Sequence, residues 1–131
     1  MPISKKNKVH IDSRGSLHEC MNIGGELSDV PIGGHLYAFT IQPKNSRGNH
    51  FHKKKEEWFM CLHGKVEIVL IDEKTQIKQI DKMEGMDGKL HHIPALTRHT
   101  FINNSDQIAV ILSYGSEIFN PSNPDTFFKD I

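Results

Sequence analysis

Two histidines separated by one residue lie near the centre of the chain, and a glutamate follows them after a short basic run. His50 and His52 stand in the segment NHFHKKKEEWF, and Glu57 comes after the lysines. On a β-strand, residues i and i+2 point to the same face, so both imidazoles would look into one barrel. Glu57 is far enough along to cross a turn and return on the adjacent strand. Imidazole nitrogen and carboxylate oxygen together suit zinc, iron, manganese or nickel.

His99 is the best candidate for a fourth ligand from a later strand. It ends the segment GKLHHIPALTRH, in which Gly88 and Pro94 indicate a turn before a strand. Histidine also serves as an acid or a base without a metal, because its ordinary pKa lies close to neutral pH. Two hypotheses therefore stay open for the catalytic candidates His50 and His52. Either they bind a divalent metal together with Glu57 and His99, or they act as bare acid and base.

The elements that would carry these residues are short strands. Helix-period patterns are nearly absent, whereas short apolar or alternating runs recur between glycines and polar turn segments. The predicted strands are 36–42, 57–62, 65–71, 76–80, 89–93, 99–103 and 108–114. Short strands at this spacing predict an all-β sandwich or a closed barrel. The tail at about 115–131 contains Pro121 and Pro124 and is predicted to form an extended closing segment.

Length and charge exclude several classes of protein. The chain has 131 residues, which is enough for one domain over 1–131 and too few for two. Its 16 basic and 16 acidic side chains cancel, so no overall field draws it to nucleic acid or to an anionic membrane. No apolar run approaches the roughly 20 residues of a membrane span, and the basic start MPISKKNKVH lacks the apolar core of a secretory signal. Cys20 and Cys61 have no short spacing and favour free thiols in a cytoplasmic protein.

The two histidine segments together resemble the two cupin motifs. The first motif, HxH, four residues, Glu, six residues, Gly, is matched by His50, His52, Glu57 and Gly64. The second motif is matched by Gly88, Pro94, His99 and Asn103. The chain departs from the pattern twice, since Gly48 is not at the usual distance for the leading glycine and Leu96 replaces the glycine after the proline. The resemblance implies a single-domain cupin, a double-stranded β-helix or jelly-roll barrel.

Three further stretches narrow the resemblance to sugar-nucleotide epimerases and ketoisomerases. DSRGSLHE (12–19) resembles the D-x-R-G segment near the start of these enzymes, and SRGNHFH resembles the strand with their active-site histidines. SEIFNPSNPDTFF (116–128) is similar to the closing segment of the C-terminal cupin domain of bifunctional capsular-polysaccharide enzymes, which is fused to a reductase. The resemblance implies a nucleotide-linked 4-keto-6-deoxy sugar as substrate, in the synthesis of surface polysaccharide, and a homodimer.

A nucleotide-linked keto sugar would need groups that stabilise its enediolate and groups that bind its pyrophosphate. A keto group acidifies the proton on the neighbouring carbon, and the resulting enediolate needs positive charge near its oxygen. Arg47, beside the first histidine, and Arg14, in D-x-R-G, are candidates for binding the pyrophosphate or the sugar, because a guanidinium makes bidentate contacts to phosphate oxygens. A structural salt bridge is the alternative for each arginine. The lysine run 53–55 is predicted to be a solvated turn.

Three alternatives to a metal-binding epimerase stay open. Metal-free 3,4-ketoisomerases resemble this chain around the histidines but often carry glutamine at the position of Glu57, so a carboxylate there favours the metal-binding branch. A non-catalytic cupin would bind a sugar nucleotide or stabilise a partner reductase. A metal dioxygenase would share the ligand pattern but not the sugar-family segments.

Overall fold

The computed structural model describes residues 3–131, and every regular element in that range is a β-strand. The strands are β1 (Ile3–Lys6), β2 (Val9–Asp12), β3 (Gly15–His18), β4 (His35–Ile41), β5 (Asn45–Phe51), β6 (Glu57–His63), β7 (Lys65–Asp72), β8 (Lys78–Glu84), β9 (Lys89–Ile93), β10 (Thr97–Asn103), β11 (Ala109–Gly115) and β12 (Phe127–Phe128). The predicted all-β class is confirmed. Within the same range there is no helix long and apolar enough to cross a membrane.

Ten of the strands form two five-stranded sheets. The first sheet has the order β1-β9-β6-β11-β4, and the second has the order β12-β5-β10-β7-β8. Neighbouring strands in both sheets are antiparallel, and most partners are distant in sequence, such as β5 with β10 and β6 with β11. The main apolar core contains side chains from both sheets, including Phe59 and Ile111 from the first and Ile68 and Phe101 from the second. The remaining two strands, β2 and β3, form a separate hairpin.

β6 is buried on both of its faces, which explains its continuous apolar sequence. Phe59 and Cys61 belong to the main core between the sheets. Trp58 and Met60, which alternate with them, belong to a second cluster with Val30. Because successive side chains of a strand point to opposite faces, the second cluster lies on the outer side of the sheet. β6 is therefore held on two sides, and Glu57 at its start has a well-fixed position.

The seven predicted strands agree with β4, β6, β7, β8, β9, β10 and β11. The largest shift is in β8, which was predicted at 76–80 and runs over Lys78–Glu84. The Asp72 carboxylate accepts the backbone N–H groups of Lys74 and Thr75, and Gln76 has a φ of 62°, so these residues form the turn that precedes the strand. β1, β2, β3 and β12 were absent from the predicted set, and β5 was expected only from the histidine spacing and from the resemblance of SRGNHFH to a strand of the related enzymes.

Candidate functional site

Three histidines and one glutamate meet inside the barrel. His50 is in β5, His52 follows that strand, Glu57 opens β6 and His99 is in β10. One ligand atom from each residue lies within 4.8 Å of the others, and all except the half-buried His50 are buried. Because β5 and β10 belong to one sheet and β6 belongs to the other, Glu57 approaches the histidines from the facing sheet. The expectation that Glu57 would return on a strand adjacent to β5 was wrong, although its spacing does bring it to the histidines.

A β-bulge in β5 turns His50 toward His99. The pairing of β5 with β10 shifts register at this point, so that His50 pairs with His99 and Gly48 pairs with Thr100. Asn49 is the extra residue, with a φ of 55°, and its N–H donates to the Thr100 hydroxyl at 2.7 Å. Gly48 has a φ of 129°, and a Cβ there would lie 2.6 Å from the His99 carbonyl oxygen, so only glycine fits. The two imidazole rings meet edge to face, with centroids 4.7 Å apart.

Backbone carbonyls set the orientation of two imidazoles. His52 Nδ1 lies 2.6 Å from the Asp125 carbonyl oxygen, and His99 Nδ1 lies 3.0 Å from the Thr97 carbonyl oxygen. A carbonyl only accepts, so each Nδ1 carries the proton and each Nε2 of a neutral ring presents a lone pair. These two Nε2 atoms lie 2.9 Å and 3.3 Å from the same oxygen, Glu57 Oε1. Lone pairs that face a carboxylate repel it, so this arrangement requires either a proton on the rings or a cation between them.

The electrostatics of the cluster agree with this requirement. Burial raises the pKa of the Glu57 carboxyl, but the contacts and charges of His52 and His99 outweigh burial and hold that pKa well below its usual range. Burial, together with the charges of His99 and His52, lowers the pKa of His50 to about 4. Within the described residues, the buried His52 Nε2 and Glu57 Oε1 have no hydrogen-bond partner. Three imidazoles and an ionised carboxylate are donors that could hold a divalent metal.

The second oxygen of Glu57 contacts two residues that the sequence analysis missed. The Tyr37 hydroxyl donates to Glu57 Oε2 at 2.8 Å, and the Lys55 ammonium lies 3.9 Å from the same oxygen. The Lys55 side chain is only 15% exposed. Burial and the charge of Glu57 raise the pKa of Tyr37. Tyr37 alternates in step with Phe39 and Ile41 along a predicted strand, which was the available signal, whereas Lys55 lay in a run predicted to be solvated.

The structure separates the two arginines proposed to bind substrate. Arg47 is exposed, with its guanidinium carbon 5.9 Å from the centre of the Phe39 ring. Phe39 packs edge to face on Phe101, which follows His99 by two positions in β10. Arg14 lies in the turn of the β2–β3 hairpin, is 89% exposed and pairs with Asp12 at 2.6 Å. Neither arginine makes a hydrogen bond or ion pair with the four clustered residues, but Arg47 stands on aromatic side chains that neighbour the cluster, so the geometry favours Arg47 over Arg14.

The C-terminal tail reaches the cluster through Asp125. Its carboxylate accepts the backbone N–H groups of Lys53, Lys54 and Lys55, each at 2.8 Å. Beyond it, β12 pairs with β5, and Phe128 stands opposite His50. The tail therefore fixes the loop 53–55 and supplies the carbonyl that orients His52.

The chain matches one family model and is similar in sequence to two characterised proteins. A family model described as "Polysaccharide biosynthesis C-terminal domain" matches residues 10–127. A TDP-4-oxo-6-deoxy-alpha-D-glucose-3,4-oxoisomerase of Aneurinibacillus thermoaerophilus is 32% identical over 109 residues, which are 81% of this chain and 73% of that protein. A UDP-2-acetamido-2,6-beta-L-arabino-hexul-4-ose reductase of Pseudomonas aeruginosa is 26% identical over 132 residues. That alignment covers 91% of this chain but spans only 30% of the reductase.

Solved structures have the same barrel. The 3,4-ketoisomerase QdtA from Thermoanaerobacterium thermosaccharolyticum, in complex with TDP-4-keto-6-deoxyglucose, matches with a TM-score of 0.78 at 23% identity. The match covers 96% of this chain and 86% of that one. This likeness confirms the predicted cupin barrel.

Proposed function

Because the chain belongs to the polysaccharide biosynthesis C-terminal domain family, we propose that it is an isomerase or epimerase of a nucleotide-linked 4-keto-6-deoxyhexose in surface polysaccharide synthesis. One observation carries the proposal: three imidazoles and an ionised carboxylate converge inside the barrel. The oxoisomerase relative, 73% of which this chain covers, is named for a substrate of this class. The resemblance of the D-x-R-G and tail segments points to the same chemistry.

The proposed reaction starts at the carbon next to the keto group. In the site without a metal, His50 is neutral near pH 7, because burial and the charges of His99 and His52 lower its pKa to about 4, and its free ring nitrogen can accept the proton of that carbon. The electron pair of the broken C–H bond forms a carbon–carbon double bond, and the carbonyl π pair moves onto the oxygen. Return of a proton to the same carbon on the opposite face gives an epimer. Protonation of the former carbonyl carbon, with loss of the neighbouring hydroxyl proton, gives the 3-keto isomer.

As the alternative to His50 acting as a bare base, we propose that His50, His52, Glu57 and His99 hold a divalent metal. The lone pairs of His52 Nε2 and His99 Nε2 both face Glu57 Oε1, which is the arrangement a shared cation would stabilise. The donor set suits zinc, nickel, iron or manganese. When bound, such an ion would supply positive charge to the developing enediolate. Without it, imidazolium protons on the same two rings would balance the carboxylate.

For the anionic part of the substrate, we propose Arg47 as the pyrophosphate contact. Its exposed guanidinium lies over Phe39, beside the aromatic side chains that neighbour the cluster. A guanidinium binds phosphate oxygens in a bidentate manner. Arg14 is proposed for the same role on the resemblance alone. A homodimer is likewise proposed only on the resemblance.

Deuterium exchange tests the proposed function directly. The protein is incubated in deuterated water with TDP- and UDP-linked 4-keto-6-deoxyhexoses, and NMR follows the carbon next to the keto group. We expect deuterium at that carbon with at least one of these sugars. A 3-keto product identifies an isomerase, and inversion with the keto group retained identifies an epimerase. Absence of deuterium with every sugar, at stoichiometric protein, would refute the proposal.

A second candidate function follows from the reductase relative, of which this chain covers 30%. A cupin of this kind could bind the sugar nucleotide and associate with a separate reductase without catalysing exchange. Size-exclusion chromatography with a sugar-nucleotide reductase from the same source tests this candidate. Complex formation and sugar binding without deuterium exchange would favour it over the enzyme.

A further inference from the structure

Within the lysine run 53–55, Lys55 differs from its neighbours in the direction of its side chain. The Lys53 ammonium lies over the Phe127 ring, 4.2 Å from its centre, and Lys54 is exposed. The stem of Lys55 instead crosses Gly115, with its Cδ 3.3 Å from the place where a Cβ of that glycine would be. A larger residue at 115 would push against this stem. Lys55 is therefore held against the barrel and directed toward the cluster.

The ammonium of Lys55 lacks an acceptor among the described residues. Glu57 Oε2, at 3.9 Å, is beyond hydrogen-bond distance, and that oxygen already accepts the Tyr37 hydroxyl at 2.8 Å. An ammonium has three donors, and in a side chain that is only 15% exposed no oxygen of the described residues accepts a hydrogen bond from them. A ligand oxygen that reached this ammonium would have a charged donor ready to bind it.

The position of the charge indicates which ligand oxygen this is. Lys55 is among the groups whose charge lowers the pKa of His50, after burial and the other two histidines, so its field reaches the candidate base. The adjacent Glu57 carboxylate would repel a pyrophosphate, which is already anionic. A keto oxygen is neutral when it binds and becomes negative only during the reaction. It therefore fits a cation that stands beside a carboxylate.

We propose that Lys55 is a catalytic residue whose ammonium binds the keto oxygen of the substrate. This assignment rests on the proposed function. When the base takes the neighbouring proton, the C–H pair becomes the new carbon–carbon double bond and the carbonyl π pair moves to the oxygen. The ammonium keeps its protons and donates a hydrogen bond to that oxygen. Fixed donors aimed at a developing oxyanion are among the largest contributions to catalysis.

The test compares Lys55→Met, Lys55→Arg and the matched control Lys54→Met in the deuterium-exchange assay. Lys54 is exposed, and its substitution keeps the backbone N–H that binds Asp125. We expect Lys55→Met to lower kcat about 10²- to 10³-fold, the usual effect of losing one oxyanion donor, with KM changed far less. Lys55→Arg should retain part of the activity, and Lys54→Met should match the wild type. Metal content and thermal unfolding are measured for each variant, because a displaced Glu57 carboxylate would change them and the loss of an oxyanion donor alone would not.

Three results would overturn the assignment. Wild-type kcat in folded Lys55→Met would refute it and leave the proposed function standing. A rise in KM with unchanged kcat would assign the ammonium to substrate binding alone. A wild-type protein that exchanges no sugar would refute the proposed function and this assignment together, and the same assay reveals that case. If Lys55→Met fails to fold, Lys55→Gln, which keeps most of the stem without the charge, gives the decisive kcat.

Discussion

The carboxylate of Asp125 ties the C-terminal tail to the candidate site, and its removal tests whether the tail positions His52. Asp125→Ala removes the acceptor of three backbone N–H donors of the loop 53–55, each at 2.8 Å. The Asp125 carbonyl, which binds His52 Nδ1 at 2.6 Å, remains but loses the anchor that holds it in place. We therefore expect the stability of the fold and the function of His52 to decrease together.

The size of the stability loss follows from these three contacts. Removing a side chain that caps backbone N–H groups at a helix start costs about 0.5–2 kcal/mol, and hydrogen bonds to charged groups contribute about 1.5–3 kcal/mol. Asp125 is half-buried, so water replaces part of what is lost. We expect a decrease of about 2 kcal/mol in the free energy of unfolding, which for a chain of this length lowers Tm by roughly 6–10 °C. Loss of the partner that orients a metal-binding histidine typically weakens metal affinity about 10- to 100-fold.

The pH dependence of this loss has a definite sign. Burial raises the pKa of Asp125, but the hydrogen bonds from the N–H donors of the loop 53–55 outweigh burial. The pKa of Asp125 in the folded protein therefore lies below its ordinary value. A carboxyl with a lowered pKa contributes stability that is present above its unfolded pKa of about 3.9 and is lost as the pH falls through the folded pKa. Urea unfolding of the wild type and of Asp125→Ala should therefore differ most near neutral pH. The difference should shrink below about pH 4.

Asp130 provides the matched control in the same tail. Its backbone carbonyl accepts from Arg98 at 2.7 Å, and alanine keeps that carbonyl. Asp130→Ala should therefore change stability by less than about 0.5 kcal/mol. Unchanged stability in Asp125→Ala would refute the anchoring role of the carboxylate. Lower stability with unchanged metal affinity and unchanged exchange activity would show that His52 keeps its orientation without the anchor.

Three further variants or probes test the remaining assignments. Glu57→Gln should lower the metal content of purified protein as measured by elemental analysis, and an unchanged stoichiometric metal would remove Glu57 from the ligand set. Arg47→Ala should raise KM for the sugar nucleotide about 10-fold or more with little change in kcat, since one bidentate phosphate contact is lost; an unchanged KM would count against Arg47. Burial raises the pKa of the Cys61 thiol to about 11, so a disulfide reagent at pH 8 should modify only the half-buried Cys20 before unfolding. Rapid modification of Cys61 in a Cys20→Ser variant would contradict that burial.

The sequence predicted the strands whose burial is visible in their own residues. β6 and β7 have long apolar runs, and β10 and β11 mix apolar with buried polar residues, so local patterns located all four. β5 has the polar sequence NSRGNHF, and its strand form depends on pairing with β10 and β12. The β2–β3 hairpin is similarly exposed, and its two strands pair with each other. Patterns of hydrophobicity miss strands of this kind because pairing with another strand, rather than their own composition, stabilises them.

The candidate site divides in the same way. The motif spacing brought together His50, His52, Glu57 and His99, and the structure places their ligand atoms within 4.8 Å of one another.

The three adjacent lysines, in contrast, cannot be told apart in the sequence, yet their side chains lie in different environments. Lys53 lies on an aromatic ring, Lys54 is exposed and Lys55 points inward. The residue that fixes their loop, Asp125, is about 70 positions away in the chain. A charge run usually indicates a solvated turn, but that rule describes the average side chain of the run. Here a distant carboxylate fixes the backbone of the loop, and the direction of each lysine follows from that constraint.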